Sequence, residues 1–319
     1  PSIVNAELEE IIVTARKKAE GLQDTPISIT ALSGSRLEDM GITKITKLQD
    51  VTPNLVFQNT PTFSGAGNNA AVYIRGIGQR DFIPTIDPGV GIYVDEVYLG
   101  RSAGAVFDMI DIAQVEVLRG PQGTLFGQNS TGGAINVVTK VPSLDESYSS
   151  GSITIGDYNM TKLSGSASGP IFENVAATFS FTKTKRDGFS TNVFNGQDLD
   201  DDDSYSVRND YFIELDDSSS LRIFGQFANI DSNGSAMKGL DDTTVGARNL
   251  KQDSLSELKL TSSVLAGIYE KDLGFANLKV LASSQSDSIS VRRDNDRHFY
   301  EDAAPSLTGV STYQRSEYR

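Results

Sequence analysis

Few residues in this chain have the types and spacing that chemistry needs. His298 is the only histidine, and no cysteine accompanies it. A metal centre of imidazole and thiolate, or a nucleophile activated by a neighbouring histidine, therefore lacks its parts. The run Asp198-Leu199-Asp200-Asp201-Asp202-Asp203 clusters carboxylates that could attract Ca²⁺ or another hard cation. It lacks the glycine and closing glutamate of an EF-hand loop, so a solvated acidic loop is the simpler reading. Gly127 and Gly132 have the outer spacing of a phosphate loop, but Gly133 stands where that loop needs lysine. No constellation supports an enzyme, and no cofactor or bound metal is expected.

The remaining dense feature is residues 119–133, RGPQGTLFGQNSTGG, set between the β-rich runs 115–118 and 134–138. Glycine at that density implies close backbone approach or positive φ, and Pro121 suits the start of a short helical turn. The elements around it belong to a chain of 319 residues, long enough for two domains, with 38% hydrophobic residues to build a core. A formal charge of −14 argues against sequence-independent binding to nucleic acid. No run approaches the roughly 18 apolar residues of a membrane-spanning helix, which leaves a β-barrel open. The chain starts at Pro1 without a signal peptide, so a targeting segment is expected to be absent or already removed.

In order, residues 1–24 hold a β-favouring run, Ile11-Ile12-Val13-Thr14-Ala15, flanked by charges. Such a segment can add itself to the edge of a partner's sheet or serve as an ordinary edge strand. Residues 25–142 read as one mixed α and β domain. Ser35-Arg36-Leu37-Glu38 has capping-box spacing for a short helix ending at Gly41, and Ile45 and Leu48 suit a second one. Strands are expected at 55–57 and 72–75, with a hairpin over 92–94 and 97–99 and polar loops at 59–69 and 78–88.

From residue 143 the pattern has period two. Val175, Ala177, Phe179 and Phe181 alternate with Ala176, Thr178, Ser180 and Thr182, and later segments repeat the theme. Transmembrane barrel strands and soluble sandwich or propeller strands both alternate in this way. Connection length separates them: short turns near 169–174, 216–220 and 273–277 alternate with long polar loops over 186–204, 231–253 and 292–311. That asymmetry suits an outer-membrane barrel. About eight strands are expected, the last cut off soon after Tyr313.

With these residues in view, the chain resembles a TonB-dependent outer-membrane receptor. The markers are Glu10-Ile11-Ile12-Val13-Thr14-Ala15, similar to the TonB box; Ile74-Arg75-Gly76; Gly91-Ile92-Tyr93-Val94-Asp95; Val115-Glu116-Val117-Leu118-Arg119-Gly120-Pro121; and Leu125-Phe126-Gly127 followed by Gly132-Gly133-Ala134-Ile135-Asn136. Their order and spacing carry the signal. The resemblance implies an α+β plug domain (25–142) followed by antiparallel transmembrane β-barrel strands (143–319), a truncated portion of a barrel of about 22 strands.

It further implies a ligand-gated receptor in the bacterial outer membrane that takes up a scarce nutrient, foremost a ferric siderophore. Energy would come from TonB and its inner-membrane complex. Residues 10–15 would bind TonB. Phe63, Asn68, Asn69, Gln79, Arg80, Asp81 and Phe82 would contact ligand from the plug loops, or be plain solvated loop. Arg75 and Arg119 resemble plug arginines that face barrel glutamates; a salt bridge inside the plug is the alternative. A β-rich surface adhesin without energy coupling is the competing function.

Overall fold

The computed structural model describes residues 12–14, 17–18, 20–58, 70–79, 87–100, 111–238, 243, 245–294 and 311–318, with backbone alone for 293–294 and 311–318. The described residues open with a short antiparallel hairpin, β1 (Ile12–Val13) and β2 (Glu20–Gly21). There follow β3 (Ile29–Ser33), α1 (Gly34–Asp39), a 3₁₀ helix (Ile45–Asp50), β4 (Leu55–Gln58), β5 (Ala71–Ile74) and β6 (Ile77–Gly78). Next are β7 (Val90–Val94), β8 (Val97–Tyr98), β9 (Ile112–Arg119), α2 (Gly123–Phe126) and β10 (Gly133–Thr139).

The helix start differs from the one expected. Ser33, not Ser35, caps α1: its Oγ accepts from the Arg36 N–H at 3.3 Å. Strand β3 pairs with β9 up to Ser33 opposite Gln114, so the cap must be the last extended residue. The helix begins at Gly34, where a Cβ would lie 1.9 Å from the Ile112 carbonyl oxygen, a contact that a larger residue cannot make.

Five strands form one sheet in the order β3-β9-β10-β7-β8. Pairing is antiparallel except between β10 and β7, which run parallel from Gly133 opposite Val90 to Val137 opposite Val94. Alternation along these strands sorts side chains onto two faces. Val115, Val117, Ile135, Val137, Ile92 and Val94 enter the main core with Ile45, Leu48, Phe57 and Ile74. The opposite face carries Tyr93, Leu118, Phe126 and Ala134, and also the buried polar pair Glu116 and Asn136. Leu118 and Val117 are both fully buried, so β9 is covered on both sides.

The glycine-rich stretch folds back on itself. Gly120 N–H donates to the Gly132 carbonyl at 3.0 Å, and Gly132 N–H donates to the Gly89 carbonyl at 2.8 Å. Gly133 has φ 150°, and a Cβ there would meet the Leu118 carbonyl oxygen at 2.2 Å and Ile74 Cδ1 at 2.8 Å.

After residue 147 a second sheet of eight antiparallel strands takes over. It comprises β11 (Tyr148–Gly156), β12 (Met160–Phe172), β13 (Val175–Arg186), then, past β14 (Ser190–Asn192) and β15 (Asp198–Leu199), β16 (Asp202–Asp216) and β17 (Ser219–Ser232). Past β18 (Asn249–Leu250) come β19 (Glu257–Asp272), β20 (Asn277–Asp294) and β21 (Ser311–Tyr318). The three small strands β14, β15 and β18 knit two long connections together at one end of this wall. At the other end the turns are short, leaving 173–174, 217–218 and 273–276 between strands.

One face of the wall is small and polar and packs inward: Ser166, Ser168, Thr178, Ser180, Thr182 and Thr184 are all buried. The other face is apolar and open, with Ile153 70% and Ile155 80% exposed, joined by Phe179, Leu265 and Val280. A wet inside and a greasy outside are what a barrel in hydrocarbon requires. Gly133→Ala combines overpacking with strained φ and is expected to destabilise the five-stranded unit by about 3 kcal/mol. Faster hydrogen exchange at the Ile135 and Val137 amides of the intact protein measures it.

Candidate functional site between sheet and wall

The hairpin β7–β8 turns through two residues only, Asp95 and Glu96, both left-handed at φ 48° and 68°. Two successive positive φ values match the right-handed twist of the flanking strands; Asp tolerates them well, and Glu96 is the unusual member of the pair. The turn projects both carboxylates from the sheet toward the wall.

Asp95 is buried at 4% exposure and meets two wall arginines. Arg208 Nη2 lies 2.7 Å from its Oδ2, and Arg222 Nη1 lies 3.3 Å from its Oδ1. Asp210 completes the set, with Arg222 Nη2 at 2.6 Å and Arg208 Nη2 at 3.0 Å. Thr139 at the end of β10 donates to Asp95 through its N–H and its hydroxyl, each at 2.9 Å. Phe224 lies beneath both guanidinium groups, 4.2 Å from Arg208 and 5.4 Å from Arg222 to the ring centroid. Two carboxylates and two guanidinium groups cancel in charge, which is how four buried ions can share one site. Burial alone would push the Asp95 carboxyl upward; Arg222, then Arg208 and the Thr139 hydrogen bonds, outweigh it and hold the group below the ordinary carboxylate range.

Glu96 reaches the other way. It pairs with wall Lys279 and, at 3.1 Å, with Lys17 of the N-terminal segment. Burial would raise this carboxyl, and the two lysines bring it below its usual value. Lys17 also lies 4.9 Å over the Phe126 ring, on the sheet face opposite the main core. Tyr93 beneath it donates to the Phe126 carbonyl at 2.6 Å, and burial followed by the neighbouring Tyr98 pushes its pKa up to about 12, so the donor persists at any ordinary pH.

Further contacts join unit and wall, an ion pair of Lys44 with Asp202 at 3.8 Å among them. Asp111 accepts from Ser166 and, at 2.8 Å, from Ser180. Gly100 N–H donates to Gln285 at 3.2 Å. Val97 supplies an apolar contact, buried among Phe224, Ala266 and Ile268. Toward the short-turn end a cavity of about 920 Å³ opens, lined by Thr14, Lys17, Glu96, Asp216, Glu270 and Lys279 among others.

The residues nominated from sequence are distributed unevenly over this arrangement. Ile12, Val13 and Thr14 are present in and after β1, with Ile12 exposed and Val13 buried at 1%. Glu10, Ile11 and Ala15 lie outside the described residues, as do Phe63, Asn68, Asn69, Arg80, Asp81 and Phe82. Gln79, half-buried after β6, is the described member of the expected ligand loops.

Arg75 and Arg119 bond within the five-stranded unit: Arg75 donates to Ser28 Oγ at 3.2 Å and Arg119 to the Ile29 carbonyl at 3.4 Å. Among the described residues the ion pairs to the wall have both polarities: Asp95 and Glu96 of the unit meet wall cations, while Lys44 of the unit lies 3.8 Å from Asp202 of β16. The Arg119 Nε is buried with no hydrogen-bond partner among the described residues.

Sequence reasoning missed Arg208 and Asp210, which sit in a run of ordinary polar alternation, and gave no reading of Arg222. The available signal was charge at positions facing inward from the strand, where the neighbours are Ser and Thr.

Arg222→Ala leaves Asp95 and Asp210 sharing one guanidinium and is expected to weaken the unit–wall contact by about 3–5 kcal/mol. Asp95→Asn with Arg222→Gln in a double-mutant cycle should recover part of that loss; additive costs would show that the two do not interact. Because both Asp95 and Glu96 have lowered folded-state values, their stabilisation is complete above about pH 5, past both unfolded values, and lost as pH falls through the lower folded ones. Limited proteolysis of the intact protein should show the unit loosening only in that acid window.

Compared with known families, residues 21–134 match the TonB-dependent Receptor Plug Domain. The pesticin receptor of Yersinia pestis is 32% identical over 207 residues, which is 62% of this chain and 29% of that protein. In fold, the ferric yersiniabactin uptake receptor of Yersinia pestis superposes with a TM-score of 0.72 at 23% identity, covering 83% of this chain and 42% of that one. The ferripyoverdine receptor of the Pseudomonas aeruginosa outer membrane, bound to ferripyoverdine, gives 0.72 at 19% identity, covering 95% and 40%. The chain thus spans less than a third of the curated relative and about two fifths of the solved receptors. Residues 21–134 belong to the TonB-dependent receptor plug family, and they are seated against eight alternating strands as in those receptors' fold.

Proposed function

We propose that this chain is the plug (25–142) and the first barrel strands (143–319) of a ligand-gated, TonB-energised receptor in the bacterial outer membrane. Its cargo in this reading is a scarce nutrient, foremost a ferric siderophore. The observation that carries the proposal is the nature of the plug–wall contact: Asp95, Glu96 and Asp111 hold the wall through ions and hydroxyls, with Val97 as an apolar point. Polar pairs of this kind re-form with water or with one another when a plug is displaced, whereas a broad apolar seal would resist.

The N-terminal segment supports the same reading. Strand β1 lies beside the cavity at the short-turn end, on the side from which a periplasmic partner would approach. Residues 10–15 bind that partner by adding a strand to its sheet, and tension on them is passed to the plug through Lys17 and Glu96. Ligand enters from the long-loop end and touches Phe63, Asn68, Asn69, Gln79, Arg80, Asp81 and Phe82. Arg75 and Arg119 meet barrel carboxylates on strands beyond those of this chain; the unpartnered Arg119 Nε is the supporting observation. Two receptors of similar fold, one for ferric yersiniabactin and one for ferripyoverdine, favour iron among the nutrients.

A peptide covering residues 7–18 is expected to bind the C-terminal domain of TonB, and Ile12→Pro to abolish binding by deleting a strand hydrogen bond. Absence of binding at high micromolar peptide would count against energy coupling and toward an adhesin.

A further inference from the structure

Glu116 is fully buried and has no cationic partner among the described residues. Among the described residues its carboxylate is served by uncharged hydrogen-bond donors. Thr14 gives two of them to Oε1, its backbone N–H at 2.5 Å and its hydroxyl at 3.1 Å. Gln114 Nε2 reaches the same oxygen at 2.7 Å, and Asn136 Nδ2 reaches Oε2 at 3.0 Å. Two of these four donors come from the residue that follows β1. Hydrogen bonds to an ionised acceptor are roughly twice as strong as neutral ones, and a buried carboxylate that loses them is costly.

The backbone donor matters most. Strand β1 already pairs with β2 through Ile12 opposite Gly21 and Val13 opposite Glu20. Backbone N–H groups on one strand edge recur every second residue, so a strand pairing along the edge that carries the Thr14 N–H needs that donor, and Glu116 holds it. Asn136 adds a weaker tie, with Nδ2 3.4 Å from the Thr14 hydroxyl. Both Glu116 and Asn136 project from the sheet face opposite the main core, so β9 and β10 present a preformed cradle for this one residue.

We propose that Glu116 is an internal competitor for the N-terminal strand: its carboxylate takes the Thr14 N–H that strand addition by a periplasmic partner requires. Retention and partner pairing are then mutually exclusive, and Glu116 sets how readily the strand is presented and drives its return once tension ends. The inference rests on the reading of residues 10–15 as the docking strand, and the test separates the two.

In the full-length receptor carrying Ile12→Cys, the maleimide labelling rate without any partner reports release of the strand. Glu116→Gln keeps the shape but removes the charge, and it should raise that rate roughly fivefold. Thr14→Val, which keeps the N–H and loses the hydroxyl bond, should raise it less. Labelling of Leu125→Cys, exposed on α2, checks that the plug remains folded and should not change. An unchanged Ile12→Cys rate in Glu116→Gln overturns the proposal. If Glu116→Gln also alters the Leu125→Cys control, Thr14→Val decides, and a wild-type rate there overturns it. Addition of the TonB C-terminal domain should show tighter binding to Glu116→Gln. Faster labelling with no binding to either protein upholds the Glu116 grip and refutes the docking-strand reading instead.

Discussion

Four buried ions at the plug–wall boundary constrain everything else in this structure. Asp95 alone in that position would be a desolvated charge of prohibitive cost; Arg208 and Arg222 alone would be worse. Together with Asp210 they sum to zero, and Thr139 and Phe224 supply the remaining hydrogen bonds and a polarisable floor. Such a set contributes little net stability, because desolvation offsets most of the Coulomb attraction, yet any partial version of it is strongly unfavourable. The seated plug is therefore specified in position without being bound irreversibly.

Position is specified because the carboxylate sits on the shortest connection a hairpin permits. With only Asp95 and Glu96 between β7 and β8, neither can move without disturbing the ladder beside it. Successive residues of such a turn point different ways, which sends Asp95 to the two arginines and Glu96 to Lys279 and Lys17. The wall, the central sheet and the N-terminal segment thus converge on one dipeptide. Parallel pairing of β7 with β10 extends this connection to Thr139 and, through β10's other neighbour, to Glu116.

Much of the fold could be read from local pattern because the physics behind it is local. Period-two alternation in residues such as Val175 to Thr182 follows from the pleat of a strand, and turn length follows from the spacing between alternating runs. The α1 cap was misplaced by two residues because the β3–β9 pairing, not the helix's own sequence, decides where extended backbone stops. Parallel pairing of β7 and β10 had no signature at all, since strands 43 positions apart in register leave no mark on either sequence alone.

The sequence by itself determined the strand periodicity, the short-turn and long-loop asymmetry, the glycine positions and the family markers, since each depends on residues near one another along the chain. Only the tertiary structure decided which charges meet. Arg208 and Arg222 look like the polar half of any barrel strand until the wall curves them against a turn more than 110 residues earlier in the chain. The same holds for Glu116, a family marker by sequence, whose grip on Thr14 exists because the sheet brings together residues 102 positions apart. Charge pairing over that distance depends on register and packing direction, which a one-dimensional pattern does not encode.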